Sequence, residues 1–505
     1  MNALQEIVNL MNDAEKKAFI QFLSKKNKRK DIRNIELFHS LKTDDINSKR
    51  TILKDKKSID AYHALRKRLY DNLIDFMAGR SFENDTSQEN SVLRLLVVSR
   101  LFFEHKLIIT AFKCLGKAEV IALDLEHFGL LNEIYMTRIQ FAHFNLSEPI
   151  EKTIQLFKAN KKLLEQEEQL NLVYAVLRRE LATIYHEGRI VDFQALIKDT
   201  IETNGITLDQ RFTFKSLYQI LFIANEYASI SNNYGLIEPF VVKSYQLISK
   251  ENDLSDRHLY YRLHILYFIA NFHFRNGRFA ESLHYVDLMT ASLQKQSSKY
   301  YQRFSLRYFL LLALNKNYLG RPQEAIEIAE KALAHKKADP GDSNNLRLAL
   351  IVFYMQHDSG RTAAKAMAQL NHTDSWDEKK MGMDWTIKKC IVEILLHAQQ
   401  ENTELALSRI KSFKRRYRNY LLTVNEERVV HYLLFVEQYV LQPEIVQTPK
   451  FKEAIEDFII TAQNGPKDIL IMSFLSWLLA KVRRKTIHET TLSLITEYFH
   501  TADAE

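Results

Sequence analysis

Residues Asn317 to Pro340 read NYLGRPQEAIEIAEKALAHKKADP, a glycine–arginine pair followed by a run dense in alanine, glutamate and isoleucine. Gly320-Arg321 is either a phosphate-cradling turn or the corner between two helices. A phosphate loop needs several glycines after a strand, so that free backbone N–H groups converge on the anion. No strand pattern precedes this pair. Ala325 and Ala332 lie seven apart on one face of the following run, with Ile328 and Ala329 between them. The pair reads as a corner.

The same corner recurs along the chain. His186-Glu187-Gly188-Arg189, Asn232-Asn233, Asn276-Gly277-Arg278, Leu319-Gly320-Arg321 and Ser359-Gly360-Arg361 follow one another in steps of 44, 45, 43 and 40 residues, counted from Gly188, Asn232, Gly277, Gly320 and Gly360. Weaker turns at His105-Lys106, Leu146-Ser147, Gln400-Glu401 and Gln442-Pro443 extend the spacing both ways. Apolar-rich helical patterns flank each corner, as in LHILYFIANFHFRNGRFAESLHYVDLM. A period near 43 residues marks a repeat architecture. The expected fold is all-α, an array of about eight antiparallel helix pairs over residues 92–485. Residues 486–505 supply a capping helix, centred on 490–501, and a tail.

Inside the pairs, Ala270 and Ala313 each precede their turn glycine by seven residues. Small residues there let two helices approach closely, while Phe309, Leu312, Ile326 and Leu333 fill the space between pairs. This pattern resembles a tetratricopeptide repeat. Phe309, Leu312, Ala313, Gly320, Ala325 and Ala332 match that family's tryptophan-like, leucine, small, turn-glycine, small and small positions. Leu266, Ile269, Ala270, Gly277, Phe279 and Glu281 match in the preceding unit, with Ser282 in place of an alanine. The family's first-helix tyrosine is Lys316 in one unit and His273 in the other, and only Tyr227 holds it. The period also exceeds the family's ~34 residues, so the helices are longer. HEAT-like pairs have the longer period but lack the glycine-and-alanine pattern. The resemblance implies a right-handed superhelical array, an α-solenoid, and in general texture the chain is similar to bacterial proteins of this family with unassigned role.

Composition agrees with a helical chain. Only 12 glycines and 7 prolines occur among 505 residues, below the usual ~7% and ~5%. Two cysteines, Cys114 and Cys390, exclude a disulfide framework or a thiolate metal site and fit a reducing cytoplasm. Glu6, Asp13 and Glu15 interrupt the start where a signal peptide needs an apolar run. Ile469 to Ala480 is 12 residues of apolar sequence, against ~20 needed to span a bilayer. The chain is expected to be cytoplasmic, with no membrane partner.

The net charge of +8 is concentrated at the start, where residues 1–80 carry 18 Lys+Arg against 11 Asp+Glu. This basic module contains a helix over Asp13–Leu23 capped by Asn12, the run Lys25-Lys26-Asn27-Lys28-Arg29-Lys30, and a helix over Ile32–Leu41. A third helix places Tyr62, Leu65, Leu69, Leu73 and Phe76 on one face beside Arg66, Lys67 and Arg68. Residues 81–91 are polar, lack an apolar period, and are expected as a linker.

Signals for catalysis are missing: there is no HExxH pattern, Walker loop, nucleophile elbow or kinase set. His264, His273 and His284 read as packing or groove-lining residues, and Glu401 and Glu404 as helix N-terminal acids. A basic stripe, Lys411, Lys414, Arg415 and Arg418, opposes Phe413, Tyr417 and Tyr420, whose spacing is that of a core. A basic stripe with free aromatics would suit nucleic acid; buried aromatics leave a solvated helix face. No metal or cofactor is expected.

The expected function is a non-enzymatic scaffold that holds a protein or peptide in the concave groove of the array. Carrying over the family's groove positions gives His264, Tyr267, Asn271 and Arg275 in one unit, and Arg307, Asn317 and Tyr318 in the next. The alternative is a regulator whose basic module contacts DNA or RNA through Lys28, Arg29, Lys30, Arg66, Lys67 and Arg68 while the array binds a protein.

Overall fold

A computed structural model describes residues 3–11, 13–26, 32–43, 56–84, 88–145, 149–187, 193–203, 213–231, 238, 241–242, 258–295, 299–334, 339–424, 426–463 and 469–500. The described residues are all-helical, with no strand among them. The chain divides into two compact units, residues 1–161 and 162–505. The expected corners at Leu146-Ser147, Gly188-Arg189 and Asn232-Asn233 lie outside the described residues, as do Asn12, Lys28, Arg29 and Lys30.

The first unit begins with α1 (Ala3–Leu10), α2 (Asp13–Lys26), α3 (Ile32–Thr43) and α4 (Lys56–Asn84). These close a core of their own around Val8, Phe19, Leu23, Phe38, Leu69 and Leu73, with Phe19 packed edge-on to Phe38 and Phe76. The α4 apolar stripe does this: Leu69 and Leu73 are fully buried, Phe76 nearly so, and Tyr62 and Leu65 half-buried. Helix α1 carried no expectation. The stretch expected as a linker, 81–91, is helical at both ends: α4 continues to Asn84 and α5 (Gln88–Glu104) begins four residues later. Next come α6 (Ile108–Asp124), α7 (Phe128–Gln140) and α8 (Ile150–Glu187), the last of which contains the unit boundary.

The second unit continues with α9 (Phe193–Thr203), α10 (Phe214–Ser231), α11 (Leu259–Arg275), α12 (Phe279–Lys295), α13 (Lys299–Tyr318) and α14 (Pro322–Leu333). Then follow α15 (Pro340–Gln356), α16 (Gly360–Met367), α17 (Asp374–Met381), α18 (Met383–Gln399), α19 (Thr403–Thr423), α20 (Glu427–Leu441), α21 (Pro449–Gln463), α22 (Ile469–Arg483) and α23 (Ile487–His500). The pairs α11–α12, α13–α14, α15–α16, α18–α19 and α22–α23 each pack against their neighbour in sequence.

A single corner geometry joins these pairs. Gly277, Gly320, Asp358 and Glu401 all have left-handed φ, 72°, 78°, 54° and 59°. The next N–H reaches back five residues in each: Arg278 to His273, Arg321 to Lys316, Ser359 to Tyr354 and Asn402 to His397, at 2.8–2.9 Å. Those bonds satisfy carbonyls that the helix end leaves unpaired. Gly360 is therefore not the turn residue of its corner. Asp358 takes that role, and Gly360 opens α16.

Close packing follows the small residues. Ala270, Ala313, Ala325 and Ala329 are fully buried and Ala332 nearly so. Ser282, standing where the pattern calls for alanine, is fully buried; its hydroxyl donates to the Ala270 carbonyl at 2.8 Å and accepts from Asn315 at 2.9 Å. The buried hydroxyl that replaces a methyl is thus itself satisfied as donor and acceptor.

Candidate partner-binding face

Within the second unit, the corners give a register for comparing first helices. The residue two before the left-handed position is Arg275, Tyr318, Gln356 and Gln399 in turn. Three of these four reach the last two helices of the chain. The Tyr318 hydroxyl lies 2.8 Å from Ser473 Oγ, Gln356 Nε2 donates to Thr491 at 3.5 Å, and Trp477 Nε1 donates to Gln399 Oε1 at 3.4 Å. Asn317 is fully buried; its amide donates to Gln356 at 2.9 Å, and its carbonyl lies 3.1 Å from His488 Nε2. Asn317 and Tyr318 were expected to line an open groove. In the structure they are buried against α15, α22 and α23. Sequence could not show this, because the contacts span as many as 171 residues.

The other groove positions fare differently. His264 is buried, with its ring 4.5 Å from Phe304, 4.7 Å from Tyr218 and 4.8 Å from Tyr260. It is the floor of an aromatic cluster rather than a surface contact. Tyr267 and Asn271 are half-buried, and the Asn271 amide donates to Asn225 Oδ1 at 3.0 Å. Arg275 is half-buried at the helix end. Arg307 is exposed, its Nε shared between the two oxygens of Asp342 at 3.0 and 3.1 Å. His273 stacks on Tyr285 at 5.3 Å, and burial lowers its pKa, the nearby Arg278 charge adding to the effect.

Above His264 the aromatic side chains are half-buried. Tyr174 of α8, Tyr218 and Phe222 of α10, and Tyr260 and Tyr261 of α11 form one strip, with centroids 5.3–6.4 Å apart. The exposed Arg178 guanidinium lies over Tyr174 at 5.5 Å and Phe222 at 5.2 Å. Amide bonds run alongside, Gln219 to Asn171 at 2.8 Å and Asn271 to Asn225. Burial, with the Tyr174 hydroxyl second, pushes the Tyr218 phenol up to about 12. The strip is thus neutral and apolar at its faces, edged by amides and by arginine. Its positions follow one another at repeat spacing, which is the signal that sequence reading could have used.

A charged cavity of about 570 Å³ lies among α16, α17, α18 and α19. Met367, Leu370 and Leu396 form its apolar wall; Asp374, Lys389, Glu393 and Arg409 form its polar wall. Lys389 binds Asp377 at 2.5 Å, and Arg409 binds Glu393 at 2.6 Å. Burial, with Asp374 second, pushes the Cys390 thiol up to about 12, so it stays protonated and is no nucleophile. Nearby, Arg416 grips both oxygens of Glu378 and holds that carboxyl below the usual range. The acids and bases of this cavity neutralise one another.

The basic stripe of α19 has its aromatics inside, with Phe413 and Tyr417 buried and Tyr420 half-buried. Arg66 of α4 lies over Tyr62 at 5.7 Å, while Lys67 and Arg68 are exposed. Comparison with protein-family models and with curated proteins gives no match for this chain.

Proposed function

We propose that the chain is a non-enzymatic interaction scaffold, its helix pairs stacked as a tetratricopeptide-like solenoid that works in the cytoplasm. First helices form the inner face, and a protein or peptide partner lies across them. The observation that supports this reading is the repeated engagement of one inner register position, at Tyr318, Gln356 and Gln399, by helices laid across it. That part of the face is occupied by the chain itself. The part that remains accessible is the aromatic strip of α8, α10 and α11 with Arg178, Tyr267, Asn271 and Arg275. Aromatic side chains give contact area at low entropic cost, and arginine grips carboxylates of a partner.

The test is affinity capture from a lysate of the source cell, comparing the wild-type chain with Arg178→Glu, Asn271→Ala and Arg275→Glu combined. A partner held by the wild type and lost by the variant is expected. Unchanged capture would remove the strip from the reading.

The second reading, a nucleic-acid regulator, draws on the charge of residues 1–80 and on the exposure of Lys67 and Arg68. A basic surface supplies attraction without base readout, so it predicts weak binding that ignores sequence.

A further inference from the structure

The last helix, α23, sits on the array differently from α22. Helix α22 is core: Trp477, Leu478, Leu479 and Ala480 are all buried. Helix α23 packs its Ile487, Leu494 and Ile495 inward and meets the first helices and their corners through His488, Thr491, Leu492 and Phe499. His488 approaches the Asn317 carbonyl and stacks on His357 with centroids 5.6 Å apart, and Thr491 accepts from Gln356. Two turn glycines complete the contact. A Cβ on Gly320 would lie 3.8 Å from Leu492, and one on Gly277 would lie 2.7 Å from the Phe499 ring.

Gly277 is the informative residue. Its left-handed φ does not by itself demand glycine, because Lys106, Glu126, Asp358 and Glu401 hold the same conformation with full side chains. What excludes a side chain at Gly277 is the Phe499 ring, which stands where its Cβ would be. The corner is thus shaped to receive an aromatic from a helix crossing above it. Residues 488, 491, 492, 495 and 499 recur at the i, i+3, i+4, i+7 and i+11 spacing of one helix face. The link to α22, Arg484 to Thr486, is exposed.

We propose that this seat on α11, α13 and α15 is a helix-binding site, and that a partner's amphipathic helix with an aromatic at the Phe499 position takes it by displacing α23. The inference rests on the scaffold reading and adds the form of the partner: a helix, not an extended strand. Helix α23 is then its resident ligand.

The full chain is tested with a protease recognition sequence inserted between Arg484 and Thr486, folded first and cleaved afterwards. The probe is a fluorescein-labelled synthetic peptide of residues 487–500, with Phe499→Ala and His488→Ala versions. Cleaved chain is expected to take up the labelled peptide reversibly, at least tenfold more tightly than the Phe499→Ala version, while uncleaved chain takes up little. Amide exchange on the unmodified chain gives a second readout: residues 487–500 should exchange faster than 469–483. Loss of the helical signal on cleavage, uptake indifferent to Phe499, equal protection of the two helices, or assembly into dimers by swapped helices would each overturn the proposal. None of these outcomes touches Arg178 or the aromatic strip, so the scaffold reading fails or stands on its own capture experiment.

Discussion

Gly277 and Gly320 share one backbone conformation but meet different neighbours, so alanine at the two positions separates strain from collision. Alanine in the left-handed region costs about 1–2 kcal/mol. Gly320→Ala should cost about that, since Leu492 is at ordinary contact distance. Gly277→Ala should cost more, because its methyl would drive into Phe499, and Gly277→Ala with Phe499→Ala should return part of the excess. Urea denaturation of the three variants checks this. Ala325 gives the complementary case: it is fully buried at a helix contact, so Ala325→Leu overpacks and should cost about 1–3 kcal/mol by the same measurement.

Two histidines give stability a pH dependence with a definite sign. Burial lowers the pKa of His273, helped by Arg278, and that of His357, helped by His488. In the unfolded chain both titrate near 6.5. Above that value both states are neutral and stability is complete. As pH falls below it the unfolded chain binds protons first, and stability is lost until the folded imidazoles titrate too. The melting temperature should therefore be lower at about pH 5.5 than at about pH 7.5, and His273→Gln with His357→Gln should narrow the difference.

Between elements, the decisive feature is the ion cluster that ties α17 to α18 and α19. The side chains of Lys389 and Asp377 are only 5% and 3% exposed, so neither can fall back on water. Removing one partner strands the other: Lys389→Met should cost about 3–5 kcal/mol. Lys389→Met with Asp377→Leu should cost clearly less, because an apolar pair needs no solvation. Equal losses would mean that the ammonium, not its pairing, carries the stability. These partners lie 12 residues apart across Gly382, whose φ is 91°. Sequence showed acids and bases at this place but not that they close on one another, because no spacing rule covers a pair across a bend.

For the molecule as a whole, circular dichroism should report more than about 70% helix, well above the usual ~30–35%. The charge distribution makes a second statement at this scale. With +7 of the total +8 in residues 1–80, any affinity for nucleic acid should reside there and fall steeply with salt. The full chain is compared with a variant in which Lys28, Arg29, Lys30, Arg66, Lys67 and Arg68 are glutamine. Mobility shift with DNA and RNA at low and moderate salt should show weak binding, lost in the variant. Tight or sequence-selective binding would promote the second reading over the first.

The helices and their corners were legible because both depend on local chemistry. Apolar residues at helical spacing mark α11, α13 and α18, and Gly277 and Gly320 mark corners that the backbone itself prefers. The corner at Asp358 was misplaced by two residues onto Gly360, since a left-handed aspartate leaves no signature as clear as glycine. Ala270, Ala313 and Ala325 named the close contacts, because a small side chain at a repeated position has few other uses. Only the tertiary structure decided what faces what. Asn317 and Tyr318 hold groove positions in sequence and core positions in space, because α22 and α23 return over 155 and 171 residues of chain to cover them. A side chain's periodicity reports which face of its helix it occupies. Whether that face meets water, a partner or the end of its own chain depends on contacts that no local pattern encodes.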